Sequence, residues 1–191
     1  VPYYEAENEA AFYGPKIDVQ MKNVNGKEET AFTVQYDFVM PKRFELKFIN
    51  RKGEEEVPVV IHRASLGAFE RTMAFLIEHY GGAFPLWLSP VQVVILPISE
   101  KFLKSAQKVK VELEKNNIRV ELNDDNKSLG GKIRQSTLQK VPFMIIIGEK
   151  ELEKSKKELF VTVRTREGKD LGMLEINKFI NQLKSQIENF S

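Results

Sequence analysis

Lys16 and Asp18 stand two residues apart on a segment of alternating character, which puts an ammonium and a carboxylate on one side of a strand. Such a pair could clasp a polar small molecule, or form a cross-strand ion pair of little energetic consequence. Gln35 and Asp37 share one face of a second strand in the same way. If both pairs line the same side of the sheet, four polar groups converge on one floor. His62 closes a β-branched run, and Arg71 follows in the first turns of an amphipathic segment after Gly67. A guanidinium fixed there could stack on an aromatic base or neutralise a phosphate; alone, it also fits a solvated helix arginine. A lone histidine such as His62 is more often structural than a metal ligand, and His79 fits a helix C-terminus, where its charge complements the dipole.

The elements that must position these groups are legible in the periodicity. Alternation marks strands over Phe12 to Lys22 and Thr30 to Phe38, joined at Asn25-Gly26 by an expected type I′ turn. Further strands are predicted over Phe44 to Phe48 and Val57 to Ile61. Leu66, Phe69, Met73, Leu76, Ile77 and Tyr80 recur at helical spacing, which predicts a helix packed on that antiparallel sheet and ended by Gly81-Gly82. Phe84-Pro85-Leu86-Trp87-Leu88-Ser89-Pro90 reads as a stiff, docked connector. The pattern then becomes strand, helix, strand, helix, strand: Val91 to Leu96, Phe102 to Leu113, Ile118 to Leu122, Leu129 to Leu138, Val141 to Ile147. That alternation predicts a mixed, mainly parallel sheet flanked by helices. A strand over Leu159 to Arg164, after a Lys/Glu-rich loop, and a helix over Leu174 to Ile187 complete it. The expected domains are 1–88, an α+β unit, and 89–191, an α/β unit.

Composition narrows the chemistry. The 191 residues include no cysteine, which excludes disulfides, thiol catalysis and a cysteine-based zinc site within this chain. No apolar run approaches the roughly 20 residues that span a bilayer, so no membrane association is expected. The start, Val1-Pro2-Tyr3-Tyr4-Glu5, has no secretory pattern and no methionine, so the chain is expected to be a piece of something longer. A net charge of +2 exerts no strong pull on nucleic acid, leaving local patches at Lys101 to Lys115 and Lys150 to Lys157, both interleaved with glutamates. Ser-His-Asp and Walker patterns are absent. Gly130-Gly131-Lys132 opens a helix but is a weak phosphate signal, and Asn123-Asp124-Asp125-Asn126 reads as a helix-capping cluster. Arg134, Lys140, Arg164 and Arg166 could lie along one rim, with side chains of the type that bond splayed single-stranded bases.

Taken in order, these segments resemble the threonyl-tRNA synthetase family of class II aminoacyl-tRNA synthetases. The resemblance rests on Glu9-Ala10-Ala11-Phe12-Tyr13-Gly14-Pro15-Lys16-Ile17-Asp18, Val34-Gln35-Tyr36-Asp37-Phe38, Pro41-Lys42-Arg43-Phe44 and Ile61-His62-Arg63-Ala64. Gly67-Ala68-Phe69-Glu70-Arg71 resembles motif 3 of the class, with Ala68 where the family often has serine. The connector, Leu129-Gly130-Gly131-Lys132-Ile133-Arg134 and Val163-Arg164-Thr165-Arg166 continue the match.

The resemblance implies late catalytic sheet plus motif 3 helix, followed by an anticodon-binding domain. It implies ATP-dependent activation of threonine and transfer to the 3′ end of tRNA(Thr), with Arg71 and Lys16 catalytic. Tyr13, Lys16, Gln35, Asp37, Arg63 and Arg71 would bind threonine, adenylate or ATP with its Mg2+. His62 would be one ligand of a zinc ion whose other ligands lie upstream. Asn126, Lys140, Glu151 and Arg164 would read anticodon bases. A cytoplasmic homodimer is implied for the intact enzyme. Motifs 1 and 2 would lie outside these residues, so the isolated chain is expected to be inactive in aminoacylation. The alternatives are a non-catalytic tRNA-binding paralogue and one subunit of a split synthetase.

Overall fold

The computed structural model describes residues 2–154 and 158–190, so Val1 and the end of the Lys150 to Lys157 run lie outside the described residues. The chain divides into two compact units, 1–79 and 80–191.

The first unit holds β1 (Lys16–Lys22), β2 (Glu28–Asp37), α1 (Met40–Arg43), β3 (Phe48–Ile49), β4 (Glu55–Glu56), β5 (Val60–Ala64) and α2 (Phe69–Tyr80), whose last residue falls in the second unit. β1, β2 and β5 form an antiparallel sheet with β2 central, and β3 pairs with β4 alone. The β1–β2 turn differs from the expected type I′. Asn25 has no positive φ, and Gly26 alone enters the left-handed region at φ 77°. Asn23 selects this longer turn, because its Oδ1 accepts from both Asn25 N and Lys27 N at 3.0 Å. Asn50 repeats the device before Gly53, accepting from Lys52 N at 2.9 Å and Glu54 N at 3.0 Å.

Most of the strand expected over Phe44 to Phe48 does not form. Pro41 suits the first turn of α1, and Glu45 at φ 53° breaks the extended run. β5 starts later than predicted, past Pro58, which has no N–H for the ladder.

In this unit only Gly14, Asp37 and Pro41 are buried among the described residues. The burial pattern of β1 is inverted: Lys16 and Asp18 are part-buried, while Ile17 is 69% exposed. The neighbouring apolar groups Tyr36 and Ile61 are exposed too. α2 buries no residue outright and covers the sheet only in part, above a cleft of about 160 Å³ lined by Met21, Ala31, Leu66, Phe75 and Leu76.

The second unit holds β6 (Val93–Pro97), a 3-10 turn (Glu100–Phe102), α3 (Leu103–Lys115), β7 (Val120–Leu122), α4 (Leu129–Leu138), β8 (Phe143–Ile147), α5 (Glu149–Lys154), β9 (Phe160–Thr165), β10 (Asp170–Glu175) and α6 (Ile176–Glu188). The sheet order is β10-β9-β8-β6-β7. β7, β6 and β8 are parallel; β9 and β10 add antiparallel pairs. The sheet is mixed, as expected, but α5 and β10 have no counterpart in the sequence reading. α5 looks like a charged loop, and β10 is interrupted at Gly172, φ 73°, where the register shifts.

Every residue of β6 is buried, because both faces are covered. On one face the 3-10 turn, α3 and α6 bury Phe102, Val109, Leu113, Phe179 and Leu183 against Val93, Ile95, Ile145 and Val163. On the other, Leu129 and Ile133 of α4 lie against Val94, Leu96 and Met144. No helix among the described residues is long and apolar enough to cross a membrane.

The connector is clamped onto this unit through its carbonyls. Lys140 Nζ donates to Gly81 O. Arg166 Nη1 reaches Phe84 O at 2.7 Å, and the buried Gln92 reaches Leu86 O at 2.9 Å. Arg119 donates to Trp87 O at 2.7 Å and Ser89 O at 2.8 Å.

Candidate functional site

Strand register builds the site in the first unit. Lys16 on β1 pairs with Gln35 on β2, and Gln35 pairs with His62 on β5. One polar row therefore crosses all three strands on one face. Period-two alternation adds Asp18 and Asp37 to that face, so the four groups expected from sequence do share one floor.

Lys16 Nζ lies 2.7 Å from Asp18 Oδ2. The hydrogen bond to Asp18 raises the Lys16 pKa above its ordinary value despite partial desolvation. Burial pushes the Asp18 carboxyl up, yet Lys16, with Thr33 beside it, more than offsets this and leaves the carboxyl below its ordinary value. Tyr13, on the segment leading into β1, donates its hydroxyl to Gln35 Oε1 at 2.5 Å. Its ring meets His62 edge-on at 5.6 Å between centroids. Gly14 permits this placement, since a Cβ there would sit 1.9 Å from Tyr36 O.

Asp37 is fully buried. Its Oδ1 accepts from Val39 N and Met40 N at 3.0 and 2.9 Å, and its Oδ2 meets His62 Nε2 at 2.8 Å. Burial pushes its pKa up, but His62 and the two backbone N–H groups more than offset that and leave the carboxyl below its ordinary value. A carboxylate on one ring nitrogen of a half-exposed histidine is the usual outer support of a metal-binding imidazole. Among the described residues, however, no group of three potential ligands surrounds it. One imidazole does not make a tetrahedral zinc site.

Two predicted residues lie elsewhere. Arg63 pairs with Val34, on the opposite face of the sheet from His62. Arg71 lines the cleft beneath α2, and no hydrogen bond or ion pair engages it among the described residues. Beside it Thr72 Oγ1 donates to Leu66 O, tying the helix to the turn before it.

In the second unit the loops after β7 and β8 leave the same, C-terminal, edge of the parallel strands. Asn126 is exposed in the first loop. The expected capping cluster yields that role to Ser128, whose Oγ accepts from Gly131 N at 3.3 Å. Glu151, buried on α5, accepts from Gly148 N at 2.8 Å and from Thr162 Oγ1 at 2.6 Å. Thr162 and Arg164 share one face of β9, and Arg164 Nε is buried without a hydrogen-bond partner among the described residues. Thr162 is absent from the sequence reading; its period-two spacing from Arg164 was the available signal. Lys140 is set apart, at the far end of α4, a helix of ten residues and so about 15 Å long.

Comparison with known proteins agrees with this division. Residues 3–80 match the tRNA synthetase class II core domain (G, H, P, S and T), and residues 92–186 match the anticodon binding domain. The threonine–tRNA ligase of Clostridium botulinum (strain Eklund 17B / Type B) is 45% identical over 187 residues, 98% of this chain and 28% of the relative. That of Thermotoga neapolitana is 43% identical over 189 residues, 99% and 29% of the two chains. The crystal structure of the RNA binding domain of threonyl-tRNA synthetase from Cryptosporidium parvum Iowa II superposes with a TM-score of 0.81 at 36% identity, covering 93% of this chain and 44% of that one. This chain thus spans a little over a quarter of the length of these curated relatives. It belongs to the threonyl-tRNA synthetase family, carrying part of the class II core domain followed by the anticodon-binding domain.

Proposed function

We propose that this chain is the part of a threonine–tRNA ligase that supplies the floor of the threonine–adenylate pocket and the module that reads the anticodon, with the functional boundary at residues 88/89. The observation that carries the reading is the in-register row Lys16–Gln35–His62, completed by Tyr13 and Asp37. Its donors and acceptors suit a small polar amino acid. Lys16 offers a cation for the developing negative charge of adenylate formation, and Arg71 a second for the ATP phosphates and their Mg2+. Arg63, on the other face, supports β5 from behind.

In the full-length enzyme His62 would supply one zinc ligand, its ring oriented by the Asp37 carboxylate on Nε2. Zinc there would bind the amine and hydroxyl of threonine. The residues of this chain orient the ligand and do not hold the ion alone.

Asn126, Glu151 and Arg164 present an amide, a carboxylate and a guanidinium that suit base edges of tRNA(Thr). Lys140 belongs to the same set by resemblance and reaches RNA only by releasing Gly81 O. The intact enzyme works as a homodimer in the cytoplasm.

A pocket that lacks its second wall does not reach transition-state geometry. Threonine-dependent pyrophosphate exchange by the isolated 191-residue chain is therefore expected to be absent. Measurable exchange would overturn this division of labour.

A further inference from the structure

Lys132 is only 4% exposed, and lysine is rarely buried without a charged partner. Its Nζ donates to two backbone carbonyls, Pro97 O and Asn123 O, each at 3.2 Å. No carboxylate lies in ion-pair range among the described residues. Taking an ammonium out of water for carbonyl partners is costly, and an apolar side chain would fill the space at lower cost. The ammonium does one thing an apolar side chain does not: it ties two separate backbone segments together.

Those segments meet at a defined place. α3 leaves the sheet on one face and α4 on the other, with β6 between β7 and β8. Lys132, on α4, reaches the C-terminal ends of β6 and β7 from that second face. Pro97 is the last residue of β6, and Asn123 is the first residue beyond β7.

Asn123 is the root of the loop that carries Asn126. Its N donates to Ile95 O at 2.9 Å, its O accepts from Lys132, and its Oδ1 accepts from Asp125 N at 3.1 Å. At the other end Ser128 O accepts from Lys132 N at 3.0 Å, while Ser128 Oγ caps Gly131 N. Lys132 therefore grips both ends of the loop, with its side chain at one and its main chain at the other.

We propose that Lys132 is a positioning residue for RNA recognition: it sets the loop 123–128 so that Asn126 meets its base, and it determines specificity without touching RNA. This rests on the reading of Asn126 as a base contact.

The test is a double-mutant cycle in the 191-residue chain with Lys132→Met and Asn126→Ala. Binding is measured to an anticodon stem-loop of tRNA(Thr) and to one with a substituted anticodon, over a range of salt. Asn126→Ala in the otherwise unaltered chain is expected to weaken cognate binding roughly tenfold and to relax specificity. Lys132→Met is expected to narrow the cognate to non-cognate ratio by a similar factor, with the salt slope unchanged because no phosphate contact is lost. In the Lys132→Met background Asn126→Ala should cost less than about twofold.

A role confined to stability would scale both affinities together and leave their ratio intact. That result, or an Asn126→Ala effect equal in both backgrounds, overturns the proposal alone. A silent Asn126→Ala in the unaltered chain overturns the base-contact reading and the proposal with it. Should Lys132→Met not fold, the same cycle in Lys132→Gln, which keeps an N–H donor of shorter reach, is judged by the same criteria.

Discussion

The Asp37 carboxylate and the His62 imidazole meet at 2.8 Å between adjacent strands, with the acid fully buried and the base half-exposed. Asp37 also accepts from the N–H groups of Val39 and Met40 at the start of α1. One side chain thus links a local turn to the orientation of the site histidine.

That relationship has a pH signature. Burial raises the Asp37 pKa, but His62 and the two N–H groups bring it below its unfolded value, which is about 3.9. A carboxyl with a depressed folded pKa contributes stability that is complete above the unfolded pKa and is lost as pH falls through the folded one. The stability difference between the unaltered chain and Asp37→Asn should be level above about pH 5 and shrink below about pH 4. Denaturant unfolding across that range measures it. A difference that stays constant into acid would mean the ionised form is not what Asp37 contributes.

Gly14→Ala should disrupt the site from outside it. The added Cβ would lie 1.9 Å from the backbone oxygen of Tyr36, which cannot move without disturbing β2. Overpacking of this kind costs roughly 1–3 kcal/mol or more. In a full-length ligase, a lowered melting point and lost threonine binding are expected together. Unchanged stability would show that the segment 11–15 can adopt another path.

Tyr13→Phe removes a single oxygen, the donor to Gln35 Oε1. One lost hydrogen bond in a part-buried site is worth about 1.4 kcal/mol, or tenfold. In a full-length ligase, stability should fall by about that amount, and kcat/KM for threonine activation should fall with it as Gln35 loses its fixed orientation. Equal activity of the two proteins would remove Tyr13 from the pocket.

Arg119→Ala should free the connector. Its guanidinium holds Trp87 O and Ser89 O, and its own N–H bonds the Gln92 side chain. Losing the two charged hydrogen bonds is expected to cost about 1–2 kcal/mol and to speed hydrogen exchange of the Leu88 and Ser89 amides. Exchange rates that do not change would assign the clamping to Lys140, Arg166 and Gln92.

Much of this molecule was legible before any fold was known, for local reasons. The apolar spacing of Leu129 to Leu138 marks a helix whose bounds the structure reproduces. The same-face placement of Lys16 with Asp18, and of Gln35 with Asp37, follows from the two-residue period of a strand. The resemblance to the synthetase family likewise rests on contiguous segments. Where local signals competed, the reading slipped. Asn23 used its side chain to choose a longer turn than Asn25-Gly26 suggests, and Pro41 begins a short helix just before Phe44.

Only the tertiary structure decided what depends on register and long-range contact. It aligned Lys16, Gln35 and His62 across three strands. It buried Glu151 against Thr162, committed Lys140 to Gly81 O, and drew the Lys132 ammonium inward to Pro97 and Asn123. Spacing along a chain determines which way a side chain points from its own element. It does not determine which backbone groups, dozens of residues away, will be there to meet it.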